Sequence, residues 1–168
     1  AKLLKLTSPF SSYFLCLIFQ QSLDSGFIPD DWKSAHVTPI FKSGDNTVPN
    51  NYRPISLTSI CCKLLEHILF THRMKHLNLN KLLLNSQHGF RKDLSCQTQL
   101  FELVTDLHSS LNVSRPVDAI FVDFSKAFDR VPHKRLLLKI RQLQLDQNTT
   151  RWIEEFLTNR FQTVKLNN

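Results

Sequence analysis

The sequence predicts an α+β fold in which helices pack on a small, incomplete antiparallel sheet. Two patterns support this prediction: apolar residues recur at helical spacing in some segments, and short apolar runs end at turn residues in others. The chain has 168 residues, of which 42% are hydrophobic. That composition allows one continuous unit with a core and excludes a disordered tail.

Five segments are predicted to be helices, because their apolar residues form stripes. Ser8 and Pro9 suit the start of the first helix, and Gly26 suits its end. Ser95 suits the N-cap of the third helix, which reaches Leu111. The first, second, fourth and fifth predicted helices are residues 10–23, 60–77, 133–145 and 150–158. The stripes expected to face the core are Ile60, Leu64, Leu65, Ile68 and Leu69 in the second helix, and Leu100, Leu103, Val104, Leu107 and Leu111 in the third.

Two extended segments are predicted to form a hairpin. Residues 32–42 are predicted to form the first strand. Pro39 is expected to place this strand at a sheet edge, because proline cannot donate a hydrogen bond to a strand ladder. Residues 43–46 have turn chemistry, and residues 53–57 form the second strand. Lys42 and Arg53 would then lie on neighbouring strands. Residues 161–166 are predicted to form a closing strand.

A carboxylate follows a short apolar run near the middle of the chain. Residues 119–122 predict a buried strand, Asp123 stands at its end, and residues 125–131 predict a helical turn or two before Pro132. A carboxylate on a strand end is a natural ligand for Mg²⁺. The alternative is a helix N-cap. Asp129, six positions on, would point elsewhere on a helix, so it is expected to be a structural acid.

Charge and cysteine usage narrow the setting. Lys and Arg total 21 against 14 Asp and Glu, a formal charge of +7, which favours a polyanionic partner such as nucleic acid, although a merely soluble basic surface is the alternative. The four cysteines show no paired spacing, which predicts reduced thiols in an intracellular protein. His72 and His76 have a spacing able to hold zinc, but a solvated basic face is favoured because no third ligand is evident.

Five sequence blocks together resemble one known family. The string Phe-Val-Asp-Phe-Ser-Lys-Ala-Phe-Asp-Arg-Val at 121–131 closely resembles motif A of reverse transcriptases from non-long-terminal-repeat retrotransposons, the jockey-like group in particular. The fingers region of that family is similar to residues 29–33, 37–45 and 51–59. The block that follows it in the family is similar to residues 87–92. The blocks occur in the family's order, and the resemblance covers residues 27–168.

This resemblance implies the fingers and partial palm of a right-hand polymerase. Residues 1–26 would be an N-terminal helical segment, 27–115 a fingers-like region, and 116–168 the first part of the palm. The implied activity is RNA-directed DNA synthesis, with an RNA template, a DNA primer and deoxynucleoside triphosphates as partners and no membrane. The oligomeric state is not implied.

The resemblance also implies roles for particular residues. Asp123 would be catalytic and would ligate Mg²⁺, the backbone of Phe124 would contact the triphosphate, and Phe128 would be an aromatic gate that rejects a ribose 2′-hydroxyl. An ordinary core phenylalanine is the alternative for Phe128. Lys42 and Arg53 would bind the incoming triphosphate, with a solvated cation as the alternative for each. The remaining candidates, for contact with the template phosphates, are Arg91 and Lys92.

The sequence departs from the family's pattern after motif A. The Gly-x-Pro-Gln-Gly-Ser and Ala-Asp-Asp motifs are absent, so this chain is expected to be inactive alone. The first residue, Ala1, is not a methionine, which predicts a fragment of a longer reading frame. The sequence does not tell whether an endonuclease domain precedes Ala1, although the family resemblance implies one. The main rival interpretation is a non-catalytic nucleic-acid-binding remnant of a decayed element. A metal-dependent nuclease is a weaker one, because no second cluster of acids is evident.

Overall fold

The structure, a computed structural model, describes residues 2–165 and confirms a mixed α and β architecture. Its described part contains seven α-helices, one short 3₁₀ turn at Pro49–Asn51 and three strands. In chain order the elements are α1 (Lys2–Leu6), α2 (Ser8–Ser25), α3 (Asp30–Lys33), β1 (Ser34–Phe41), β2 (Tyr52–Leu57), α4 (Ile60–Leu79), α5 (Cys96–Asn112), α6 (His133–Gln142), α7 (Gln147–Leu157) and β3 (Phe161–Val164).

The chain forms two compact units. The first unit contains the residues up to His76 together with those from His133 onward, so it holds all three strands. The second unit is Leu77–Pro132 and contains α5 with the long segments before and after it.

The sheet of the first unit has the strand order β2-β1-β3. The predicted hairpin is confirmed, since β1 and β2 are antiparallel with Phe41 opposite Tyr52. The closing strand is also present, and it runs parallel to β1 with Ser34 opposite Phe161. The sheet is therefore mixed, not purely antiparallel. Leu166, the last residue of the predicted closing strand, lies outside the described residues.

The prediction that Pro39 places its strand at an edge is wrong, because β1 is the central strand. The backbone N–H of Lys42 donates to the Asn51 carbonyl, 2.8 Å away, so Lys42 and Asn51 form a hydrogen-bonded pair. In an antiparallel ladder such pairs alternate with pairs that are not hydrogen-bonded. Pro39 faces Pro54 in a non-bonded pair, so neither ring removes a bond between these strands. On its other side β1 pairs with β3 only over Ser34–Val37. Proline is therefore tolerated in the middle of the sheet.

The core lies in the first unit, between the helices and one face of β1. Trp152 on α7 is 2% exposed, its indole N–H donates to the Ser22 hydroxyl across 3.0 Å, and its ring stacks on Phe156. Buried Lys33 forms an ion pair with Glu155. The core side chains are Phe19, Ile28, Trp32, Cys62, Leu65, Leu69, Leu137, Ile140, Trp152 and Ile153.

The predicted helices are all present, with ends within a few residues of the expected ones. The α2 helix ends at Ser25 and is capped by Gly26, whose φ of 73° is the left-handed cap conformation that glycine adopts without strain. The α5 helix begins after Ser95, whose hydroxyl accepts the Thr98 N–H in a capping box. The short helices α1 and α3 were not predicted.

The predicted core faces of two helices need correction. On α4 the buried stripe is Cys62, Leu65 and Leu69, whereas Ile60, Leu64 and Ile68 remain exposed because the core covers one side of the helix only. No α5 residue is buried, and Leu100, Val104 and Leu111 are exposed. An apolar stripe predicts a helix, but a second element must cover it before it becomes a core.

The predicted buried strand before Asp123 is wrong as well. Residues 115–124 form neither helix nor strand, and Phe121 is 82% exposed. The three described strands pair only with one another, so the apolar run at 119–122 lacks the hydrogen-bonding neighbour that a buried strand requires. Residues 125–130 form turns, in which the Arg130 N–H donates to the Lys126 carbonyl, and not a regular helix.

Candidate nucleotide-binding and catalytic site

The hairpin places the two candidate triphosphate ligands on one face. Arg53 lies opposite Ile40, which is two residues before Lys42, so side-chain alternation puts Lys42 and Arg53 on the same side of the hairpin. Ala35 and Val37 occupy the alternate positions of β1, so their side chains point to the opposite side and face the core. Lys42 and Arg53 are both exposed. This arrangement presents two positive charges to solvent from paired strands.

The turn of the hairpin is ordered by its own polar groups. The Asp45 carboxylate accepts the Thr47 backbone N–H at 2.8 Å and the Thr47 hydroxyl at 2.7 Å, and these bonds lower the pKa of Asp45 below its ordinary value. Gly44 has φ of 92°, which a residue with a side chain would adopt only with strain. The turn therefore holds the end of β1, and Lys42 with it, in a defined place.

Asp123 and Phe124 lie on an exposed segment of the second unit. The Asp123 side chain is open to solvent and is not sealed among hydrocarbon groups, and Phe124 is also exposed. Neither residue follows a strand, as stated above. A carboxylate in such a position is free to meet a cation or a substrate.

Phe128 is not a core residue, so the alternative of an ordinary buried phenylalanine is wrong. Its side chain is 78% exposed. Its ring meets the ring of Phe90 edge to face, with centroids 6.0 Å apart and an interplanar angle of 84°. This contact joins motif A to the block at 87–92, two of the five blocks that carry the family resemblance.

The segment 87–92, called here the 87–92 loop, is held by hydrogen bonds at two points. Arg91 donates from Nη1 to the Leu84 carbonyl at 3.0 Å, which leaves its other donors for a phosphate, and Lys92 is exposed. His88 is buried and reaches both Thr98 and Glu102 on α5. The sequence reasoning missed the role of His88, because the spacing of Thr98 and Glu102 on one helix face does not show which residue packs against that face.

The described residues contain no group of three or more His, Cys, Asp or Glu side chains able to hold a metal ion. Asp123 can contribute a single carboxylate, which is not a complete magnesium site. His76 contacts the Leu143 carbonyl at 2.8 Å through Nε2. Lys42 and Arg53 belong to the first unit, whereas Asp123, Phe124, Phe128, Arg91 and Lys92 belong to the second.

Comparison with known proteins decides the family. The model of a family described as reverse transcriptase (RNA-dependent DNA polymerase) matches residues 40–168, more than half of the chain. The chain belongs to the reverse transcriptase family. This confirms the resemblance drawn from the five sequence blocks.

The relatives of this reverse transcriptase segment come from mobile elements. The chain is 34% identical over 131 residues to the RNA-directed DNA polymerase from mobile element jockey, and 33% identical over 131 residues to the probable RNA-directed DNA polymerase from transposon BS, both of Drosophila melanogaster. A third relative, the Pol polyprotein from the type-1 retrotransposable element R2 of Popillia japonica, is 28% identical over 147 residues.

The matches cover most of this chain but a small part of each relative. The jockey and BS matches include 77% of this chain and 14% of the relative, and the R2 match includes 88% and 20%.

All four cysteines are free thiols, as predicted. Within residues 2–165 we find no helix of the length and hydrophobicity that crossing a bilayer requires.

Proposed function

We propose that this chain is the fingers and first palm segment of an RNA-directed DNA polymerase of a non-long-terminal-repeat retrotransposon. The complete enzyme would add deoxynucleotides to the 3′-hydroxyl of a primer on an RNA template, inside the cell. The observation that carries this proposal is the reverse transcriptase match over residues 40–168. The division into an N-terminal helical segment at 1–26, fingers at 27–115 and palm from 116 is part of the proposal.

Lys42 and Arg53 are proposed to bind the triphosphate of the incoming nucleotide. Their shared, exposed face on the hairpin supports this role, because it presents two cations without burying either. The guanidinium of Arg53 matches two phosphate oxygens at once, whereas the Lys42 ammonium acts as a point charge. The backbone of Phe124 is proposed to contact the same triphosphate.

Asp123 is proposed to supply one carboxylate ligand for Mg²⁺ in the complete enzyme. Its exposure supports this role, and the lack of a ligand cluster among the described residues means that other carboxylates must complete the site. Bound Mg²⁺ would supply positive charge to the triphosphate. Since Asp123 alone cannot hold the ions, we expect no DNA synthesis by this chain in isolation.

Phe128 is proposed to select the sugar, and Arg91 and Lys92 to contact template phosphates. An exposed ring five positions after Asp123 can lie against a sugar and leave no room for a 2′-hydroxyl. The free donors of Arg91 and the exposed Lys92 can neutralise backbone phosphates.

Primer extension tests the proposed activity. The full-length reading frame that contains this segment should extend a DNA primer on an RNA template in the presence of deoxynucleotides, and the 168-residue chain should not. A full-length protein that binds the template and primer but adds no nucleotide would contradict the proposal and support the rival interpretation, a nucleic-acid-binding remnant.

A further inference from the structure

The 87–92 loop is attached to α5 through a buried histidine. His88 Nδ1 lies 2.7 Å from the Thr98 hydroxyl, and His88 Nε2 lies 2.8 Å from a carboxylate oxygen of Glu102, to which it donates because a carboxylate only accepts. Thr98 is also half of the capping box with Ser95. The loop is therefore fixed to the most regular part of the second unit.

Two residues, Gly89 and Phe90, lie between the loop's two anchors, and the backbone of Phe90 is strained. Its φ of 62° lies in the left-handed region, which a residue with a side chain rarely adopts. His88 holds the chain on one side, and on the other Arg91 donates to the Leu84 carbonyl. These contacts keep Phe90 in a conformation that turns its ring outward, where it is 76% exposed.

The exposed ring of Phe90 has a specific neighbour, the ring of Phe128. The edge-to-face geometry, at 6.0 Å and 84°, is the arrangement that aromatic pairs favour. Phe128 itself lies in a run of turns that forms no strand or helix. Its ring thus receives lateral support from a fixed loop while more than three quarters of its surface stays open.

We propose that Phe90 is a positioning residue for sugar selection. It would hold the Phe128 ring at the place where that ring excludes a ribose 2′-hydroxyl, and the His88 contacts would hold Phe90. This inference rests on the proposed function, because it needs Phe128 to meet the sugar. It assigns to the 87–92 loop a task in nucleotide specificity besides any contact with template phosphates.

Single-nucleotide incorporation by the full-length enzyme tests the inference. The quantity measured is the ratio of kcat/KM for a deoxynucleotide to kcat/KM for the matching ribonucleotide. An edge-to-face pair is worth about 0.5–1.5 kcal/mol, so Phe90→Leu should lower this ratio about two- to tenfold. The change should come from better use of the ribonucleotide, with kcat/KM for the deoxynucleotide nearly unchanged.

Two further variants separate positioning from general damage. Phe90→Tyr keeps the ring and should keep the wild-type ratio. Phe101→Leu removes another exposed ring of the second unit, on α5, and should also leave the ratio unchanged. An equal fall in the ratio for Phe101→Leu, or no rescue by Phe90→Tyr, would overturn the inference.

A double-mutant cycle separates this inference from the proposed function. If Phe128→Val admits ribonucleotides, Phe90→Leu should add little to it, because the ring to be positioned is already gone. If Phe128→Val relaxes sugar selection while Phe90→Leu alone has no effect, the positioning role is wrong and the polymerase assignment stands. If Phe128→Val itself leaves sugar selection unchanged, the gate and its support are both wrong.

Discussion

The first unit is joined by an apolar core, whereas the second is joined by hydrogen bonds and one aromatic pair. Every buried hydrophobic side chain of the described chain lies in the first unit. In the second unit the side chain described as buried is that of His88. Substitutions of buried side chains in the first unit should therefore change the free energy of unfolding, and substitutions in the second should change local geometry and catalysis.

Trp152→Ala should give the largest loss of stability. It removes a buried ring together with its hydrogen bond to Ser22, and truncation of a buried aromatic costs about 3–5 kcal/mol. Urea unfolding of the 168-residue chain, followed by circular dichroism, measures the change. Phe101→Ala, in an exposed position of the second unit, is the control and should cost less than about 1 kcal/mol. Equal losses would contradict the distinction between the units.

Arg53→Ala tests whether the outer face of the first unit is functional and not structural. Loss of a charge-assisted hydrogen bond to phosphate should raise the KM for deoxynucleotides in the full-length enzyme about tenfold. Its free energy of unfolding and its affinity for template should change little, because Arg53 is exposed. Arg135→Ala, an exposed arginine on α6, is the matched control. A KM unchanged by Arg53→Ala would remove Arg53 from the site.

Asp146→Ala should have the smallest effect, about 1 kcal/mol, because it removes the α7 N-cap. Burial alone would raise the pKa of Asp146, but hydrogen bonds from Thr149 and neighbouring backbone lower it below its ordinary value. A carboxyl with a lowered pKa in the folded state stabilises the protein above its unfolded pKa, and this contribution disappears as the pH falls through the folded pKa.

Urea unfolding at several pH values measures this last difference. The gap between the wild type and Asp146→Ala should be full at pH 7 and should narrow below about pH 4. Asp146→Asn, which keeps the capping acceptor, should lose less than the alanine variant at pH 7. A gap that widens in acid would contradict the role assigned to this carboxylate.

Much of the fold was predictable because its signals are local. The Ser95 cap, the Gly26 helix end and the turn at 43–46 act within a few residues, and each was predicted and is present. The pairing of β1 with β3 joins segments more than 120 residues apart, so no local pattern could place β1 in the centre. The ion pair of Lys33 with Glu155 was missed for the same reason.

The residues of the candidate site remain predictions from family resemblance, and their geometry could not be predicted from the sequence. That resemblance proposes Asp123, Phe128 and Arg53, and the hairpin that carries Arg53 was predicted correctly. The strand before Asp123 was predicted wrongly, because an apolar run records a tendency to be buried and not the presence of a pairing partner. The contacts of His88 with α5 depend on tertiary structure, which a single-sequence pattern does not contain.

The most direct test of the central claim, that Asp123 is a catalytic ligand of a polymerase, is primer extension by full-length Asp123→Asn. Its control is Asp118→Asn, five residues earlier in the same exposed segment. Loss of a residue that only supports a metal ligand lowers metal affinity or activity about 10- to 100-fold. Loss of the ligand itself should therefore lower kcat at least about a hundredfold. We predict that loss with template affinity unchanged, and near-normal extension by Asp123→Asn would contradict the account.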